Sequence, residues 1–146
     1  MKIYFDACTL QRPLDDRSQS RISLEAEAIL AILGLRDKGS ITLVTSDIIT
    51  YETNNNPNTQ KRAFVEKIAL HAEEYIVLTQ AIERIAQLYE QSGVKAVDAL
   101  HLASAETAGV DYFCTCDDRF YRRAVQLINL TLKVRMPLAL AQEIII

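Results

Sequence analysis

Lys2-Ile3-Tyr4-Phe5-Asp6 opens the chain with a run of β-branched and aromatic residues that closes on a carboxylate. Such an uninterrupted apolar run matches a strand buried on both faces of a parallel sheet. Working outward, residues Leu10 to Ser20 (LQRPLDDRSQS) read as a charged loop. Ile22, Ala26, Ile29, Leu30, Leu33 and Leu35 then recur near helical spacing until Gly39, with Ser18 or Ser20 as the expected cap. Ile41 to Thr45 reads as a second strand, and Ser46 supplies an N-cap for a short helix over Asp47 to Thr53.

The break Asn54-Asn55-Asn56-Pro57-Asn58 precedes a helical stretch from Gln60 to Ala72. Tyr75 to Leu78 predicts a third strand, followed by helices over Thr79 to Gln91 and Lys95 to Ala108 that stop at Gly93 and Gly109. Tyr112 to Thr115 predicts a fourth strand running into Asp117-Asp118 and a helix through Leu127. A fifth strand over Leu132 to Val134 and a last helix opened by Pro137 complete the pattern. This alternation predicts a single 1–146 domain of the α/β class, a three-layer α/β/α sandwich around a central, mainly parallel sheet of four to five strands. Ligands of such sheets sit beyond the carboxyl ends of the strands. The places to seek function are therefore Asp6, Ser46 to Glu52, and Thr115 to Asp118.

Composition agrees with one folded unit: 146 residues, 49% hydrophobic and 24% charged, can bury about two thirds of the unfolded surface. No apolar run reaches the roughly 18 residues of a membrane span, and the opening run is too short for a signal peptide, so a cytoplasmic location is expected. Cys8, Cys114 and Cys116 have no zinc-ligand spacing and read as small buried hydrophobes. Net charge is −3, unpromising for a nucleic-acid binder. If four carboxylates gather at one metal site, however, the rest of the chain is slightly basic.

Those four are Asp6 and Asp117 at strand exits, Asp98 near a helix start, and Glu52 on the short helix after the second strand. Carboxylates brought together repel unless a cation offsets them, and oxygen ligands suit Mg²⁺ or Mn²⁺. Each also has a structural reading: Asp6 bonding backbone amides, Asp98 serving the helix dipole, Asp117 capping a helix, Glu52 solvated.

The runs Ile3-Tyr4-Phe5-Asp6, Ser46 with Glu52, KAVDALHLASA (95–105) and TCDDRF (115–120) resemble the PIN-domain family, including its VapC-type ribonuclease toxins, over nearly the whole chain. The resemblance implies a metal-dependent endoribonuclease hydrolysing RNA phosphodiester bonds, with Asp6, Glu52, Asp98 and Asp117 as its acids. Asp6, Asp98 and Asp117 are the expected ligands of one or two ions, Mg²⁺ or Mn²⁺, and Thr115 matches the family's hydroxyl near the last acid. Asp118 offers a second candidate beside Asp117. If the protein is a toxin, a small antitoxin protein should cover the acidic crevice, and a homodimer is expected.

Arg12, Arg17, Lys95 and Arg119 are candidate phosphate contacts, with solvation as the alternative for each and an Asp98 ion pair as a further one for Lys95. His101, one turn after Asp98 in an apolar stretch, reads as a core histidine, and Tyr4 as core packing. Ile144-Ile145-Ile146 suits either packing on the domain or self-association. Asp6→Asn or Asp98→Asn is expected to abolish cleavage while preserving or raising stability without metal. The competing class is a catalytically silent PIN-like module that binds RNA or protein.

Overall fold

The apolar run at the head of the chain forms β1 (Lys2–Phe5), with Ile3, Tyr4 and Phe5 fully buried. The structure, a computed structural model, describes residues 1–145. Parallel to β1 lie β2 (Thr42–Ser46) on one side and β4 (Tyr112–Cys114) on the other. The edges are β3 (Glu74–Ile76) beside β2 and β5 (Lys133–Arg135) beside β4, giving the order β3-β2-β1-β4-β5 with every pairing parallel.

That order places the helices. The chain steps from β1 to β2 and β3 in one direction, then returns past β1 to β4 and β5. With right-handed crossovers, α2 (Ser20–Asp37) and α4 (Thr59–Leu70) cover one face, and α5 (Gln80–Gln91), α6 (Ala96–Thr107) and α7 (Asp118–Ala124) cover the other. α8 (Pro137–Ile145) packs on α2, and the short α3 (Asp47–Asn54) touches α4 and α6. The result is a three-layer α/β/α sandwich. Tyr4 stacks on Phe113 at 5.1 Å between ring centroids, and Phe113 meets Phe120 at 5.2 Å, tying β1 to β4 and to α7.

Several expectations shift. The segment directly after β1 is α1 (Ala7–Leu10), followed by a 3₁₀ turn over Arg12–Leu14, where the sequence reading has only a loop. Neither Ser18 nor Ser20 caps α2: Gln19 holds the cap position without a side-chain bond and Ser20 is already helical. Arg21 anchors this end instead, reaching Glu25 within the helix and Asp118 at the start of α7. β4 ends at Cys114, which leaves Thr115 free to turn into the site. Ile144 packs against the core and Ile145 is exposed, whereas the expectation for Ile146 lies outside the described residues.

Candidate active site

The sheet reverses its winding between β1 and β4, and ligand crevices open at such switch points. The pairings Tyr4↔Val44 and Phe5↔Cys114 bring Asp6 level with Ser46 on one neighbour and Thr115 on the other. Asp6 is only 3% exposed, so its carboxylate needs partners. Oδ1 accepts from the Thr9 amide at 3.2 Å, the Thr9 hydroxyl and the Cys8 thiol at 3.3 Å, while Oδ2 accepts from the Thr115 hydroxyl at 2.7 Å. Both threonine hydroxyls in turn accept a backbone amide from the β4 exit: Thr9 from Cys116 at 3.0 Å, Thr115 from Asp117 at 3.1 Å. Asp6 thus serves as the N-cap of α1 and ties β1 to the loop after β4.

Asp98 sits in the first turn of α6, half-buried, and shares with Asp117 a cavity of about 170 Å³. Burial, then the charges of Asp6 and Asp117, push its carboxyl up to about 6; His101 opposes the rise and Glu52 adds to it. The acids therefore feel one another across the switch point. Asp117 caps α7, its Oδ1 accepting from the Arg119 and Phe120 amides at 2.9 and 3.0 Å. Asp118 points elsewhere, held by both terminal nitrogens of Arg21 at 2.7 and 2.9 Å.

Glu52, near the end of α3, pairs through Oε1 with His101 Nε2. His101 is fully buried, and its Nδ1 lies 2.6 Å from the Tyr4 hydroxyl, itself 2.6 Å from Ser46 Oγ. With the Nε2 proton directed at the carboxylate, Nδ1 accepts from Tyr4 and Tyr4 accepts from Ser46. Burial raises the Tyr4 phenol well above its ordinary range and keeps it a donor. His101 is therefore a core histidine, as its apolar surroundings suggest, but one that orients Glu52. The far side of Glu52 faces a second cavity, shared with Cys8 and Gln11.

Residues 3–126 match the profile of the PIN domain family. The chain belongs to the PIN-domain family. Two solved structures share the fold: VapBC2 from Rickettsia felis bound to a DNA fragment from its promoter, and FitAB bound to the IR36 DNA fragment. The first has 15% identity and a TM-score of 0.61, covering 93% of this chain and 98% of that one. The second has 18% identity and a TM-score of 0.60, covering 92% and 94%. No curated protein matches.

In this PIN domain, among the described residues, Asp117 and Glu52 each keep one carboxylate oxygen unengaged, Asp98 keeps both, and Asp6 has donors on both. Hard oxygen donors held this way fit Mg²⁺ or Mn²⁺. No three His, Cys, Asp or Glu side chains among the described residues yet stand close enough to share an ion.

The PIN domain separates the candidate cations. Arg12 is paired with Asp15 at 3.0 Å and with buried Glu25 at 3.4 Å, and Arg17 with Glu27 at 2.8 Å. Lys95 and Arg119 instead line the cavity of Asp98 and Asp117, and no Lys95–Asp98 ion pair forms among the described residues. Cys114 and Cys116 are buried as read from the sequence, but Cys8 is an exposed residue of α1 whose thiol donates to Asp6 and lies 3.9 Å from Cys116 Sγ. The Asp6-x-x-Thr9 spacing is an N-cap pattern that would have revealed α1. Nothing local marks the His101–Glu52 partnership, which joins α6 to α3.

Proposed function

We propose that the protein is a divalent-metal-dependent endoribonuclease of the cytoplasm. The observation that carries this is the placement of Asp98 and Asp117 on one cavity beside the β1 exit at Asp6, where burial and the charges of Asp6 and Asp117 push the Asp98 carboxyl up to about 6. Such mutual repulsion is costly in a structural cluster and useful in a site that takes a cation. Asp6, Asp98 and Asp117 would hold one or two Mg²⁺ or Mn²⁺ ions, with Glu52 as the fourth, more peripheral catalytic acid. When bound, the metal supplies an acidified water and charge offset at the non-bridging phosphate oxygens. Thr115 and Thr9 hold Asp6 in place, and His101 aims Glu52. Asp117, facing the cavity, is favoured over Asp118, whose carboxylate Arg21 occupies. Lys95 and Arg119 are placed to meet phosphates; Arg12 and Arg17 would first have to leave their carboxylates.

The structural neighbours are VapBC2 and FitAB, each bound to a DNA fragment, which supports a VapC-like toxin role here with a small antitoxin over the crevice; a homodimer is the further expectation. The alternative is a catalytically silent RNA- or protein-binding module; among the described residues no three His, Cys, Asp or Glu side chains stand close enough to share an ion. The deciding experiment incubates a structured RNA pool with Mg²⁺, Mn²⁺ or EDTA, comparing wild type with Asp98→Asn purified in parallel. Cleavage that needs both metal and Asp98 is expected; cleavage indifferent to either would overturn the proposal.

A further inference from the structure

Three positive side chains, Lys95, Arg119 and Arg123, line the cavity that holds Asp98 and Asp117. None forms an ion pair with any described residue, although two carboxylates face the same space. Arg119 and Arg123 are four apart on α7 and so share a helix face, while Lys95 stands just ahead of α6. Three like charges in one wall repel, which makes the arrangement poor as a stability device.

A solvated surface or the C-terminal dipole of α7 would explain Arg122 and Arg123 equally. What distinguishes Arg123 is its seat. Gly93, with φ at +98°, presents bare backbone to it, and a Cβ there would lie 3.0 Å from Nη1, 3.5 Å from Cζ and 3.7 Å from Cδ. The guanidinium lies against a position that only glycine fills without strain. Its fork lies beside Gly93 at the rim of the acidic cavity, where the sequence alone marks nothing.

We propose that Arg123, seated on Gly93, acts with Lys95 and Arg119 as a clamp on the phosphates of single-stranded RNA beside the acidic centre. This rests on the ribonuclease reading above. The cavity, about 170 Å³, has room for a phosphate group, and an arginine fork suits two phosphate oxygens at once. None of the three cations is ion-paired among the described residues, so an anion can bind without breaking an internal pair.

The test is fluorescence anisotropy with a labelled single-stranded RNA in EDTA, to stop turnover, across about 50 to 200 mM salt. Arg123→Ala should weaken binding at least about fivefold and lower the steepness of log K against log salt by about 0.7, the loss of one phosphate contact on a single strand. Arg123→Lys should keep the slope and lose affinity, since the charge stays and the fork goes. Arg122→Ala should change neither. Gly93→Ala should weaken binding alone and add little on top of Arg123→Ala, the non-additivity of two residues acting through one contact. Wild type that binds with a slope unaltered by Arg123→Ala would overturn the clamp and leave the nuclease reading standing. An equal loss in Arg122→Ala would overturn it too, as diffuse charge. Wild type that binds no RNA would overturn the clamp, and the cleavage assay with metal would then decide the ribonuclease reading by itself.

Discussion

Asp98 and Asp6 carry the same carboxyl group into opposite surroundings. Asp98 has no hydrogen-bond partner among the described residues and titrates near 6, against about 3.9 for an unfolded aspartate. The native state therefore holds the extra proton between those values. The stability this confers is complete below about pH 4 and is lost as pH rises through about 6. Asp98→Asn removes the repelling charge, so without metal it should raise stability at pH 7.5 by roughly 1 kcal/mol, after discounting for partial exposure. At about pH 4 it should give no gain. Urea unfolding in EDTA at both pH values checks this, and equal gains at both would refute it. Asp6 differs from the sequence expectation that either Asp→Asn change would be tolerated. Its carboxylate receives four donors, and an amide would turn its own N–H₂ against at least one of them. Asp6→Asn should cost about 1–3 kcal/mol. Both variants should be inactive, and their unfolding midpoints in EDTA should move in opposite directions.

At the scale of elements, the site is a set of ties between strand ends. Thr115 donates to Asp6 and accepts from the Asp117 amide, so one hydroxyl fixes β1 against the start of α7. Thr115→Val keeps the shape but strands a buried amide and removes a donor from Asp6. The expected loss is about 1–3 kcal/mol with a fall in cleavage, and Thr115→Ser should restore both. Thermal melts and cleavage rates for the pair read this out; a fully active valine variant would remove the tie from the mechanism. Tyr4→Phe similarly leaves His101 Nδ1 and Ser46 Oγ without the phenol and frees Glu52 to swing. It should cost about 1–3 kcal/mol and lower kcat more than it alters KM. These ties also explain what could be read in advance. The five strands and the long helices were legible because buried parallel strands are apolar runs and glycines stop the helices between them. Asp6, Asp98 and Asp117 were legible because strand exits and helix starts can be located from that pattern. The threonine clamp, the Glu52–His101 pair and the Gly93 seat join residues far apart in sequence, which one-dimensional periodicity does not encode. α1 is only four residues long, too short for a helical repeat to show.

For the whole molecule, the proposed metal site is one whose acids would repel one another until a cation binds. A net charge of −3 is spread over a fold whose switch point concentrates negative charge, while Lys95, Arg119 and Arg123 rim the same cavity. A divalent cation that binds only the folded state adds stability by mass action, about 2.7 kcal/mol at a hundred times its Kd. For a chain of this length that corresponds to a rise in Tm of roughly 8–10 °C. Mn²⁺ titrated into the EDTA-stripped protein should produce such a rise, growing with the logarithm of concentration once the site is saturated. Asp98→Asn should start from a higher Tm in EDTA and gain much less from Mn²⁺, because it has given up both the repulsion and a ligand. Arg122→Ala, at a position that lines neither acidic cavity, should respond like wild type, which separates a specific site from general screening of surface charge. A wild type indifferent to Mn²⁺, or an Asp98→Asn protein that gains as much as wild type, would mean that the cluster is not a metal site and would shift the balance to a silent binding module.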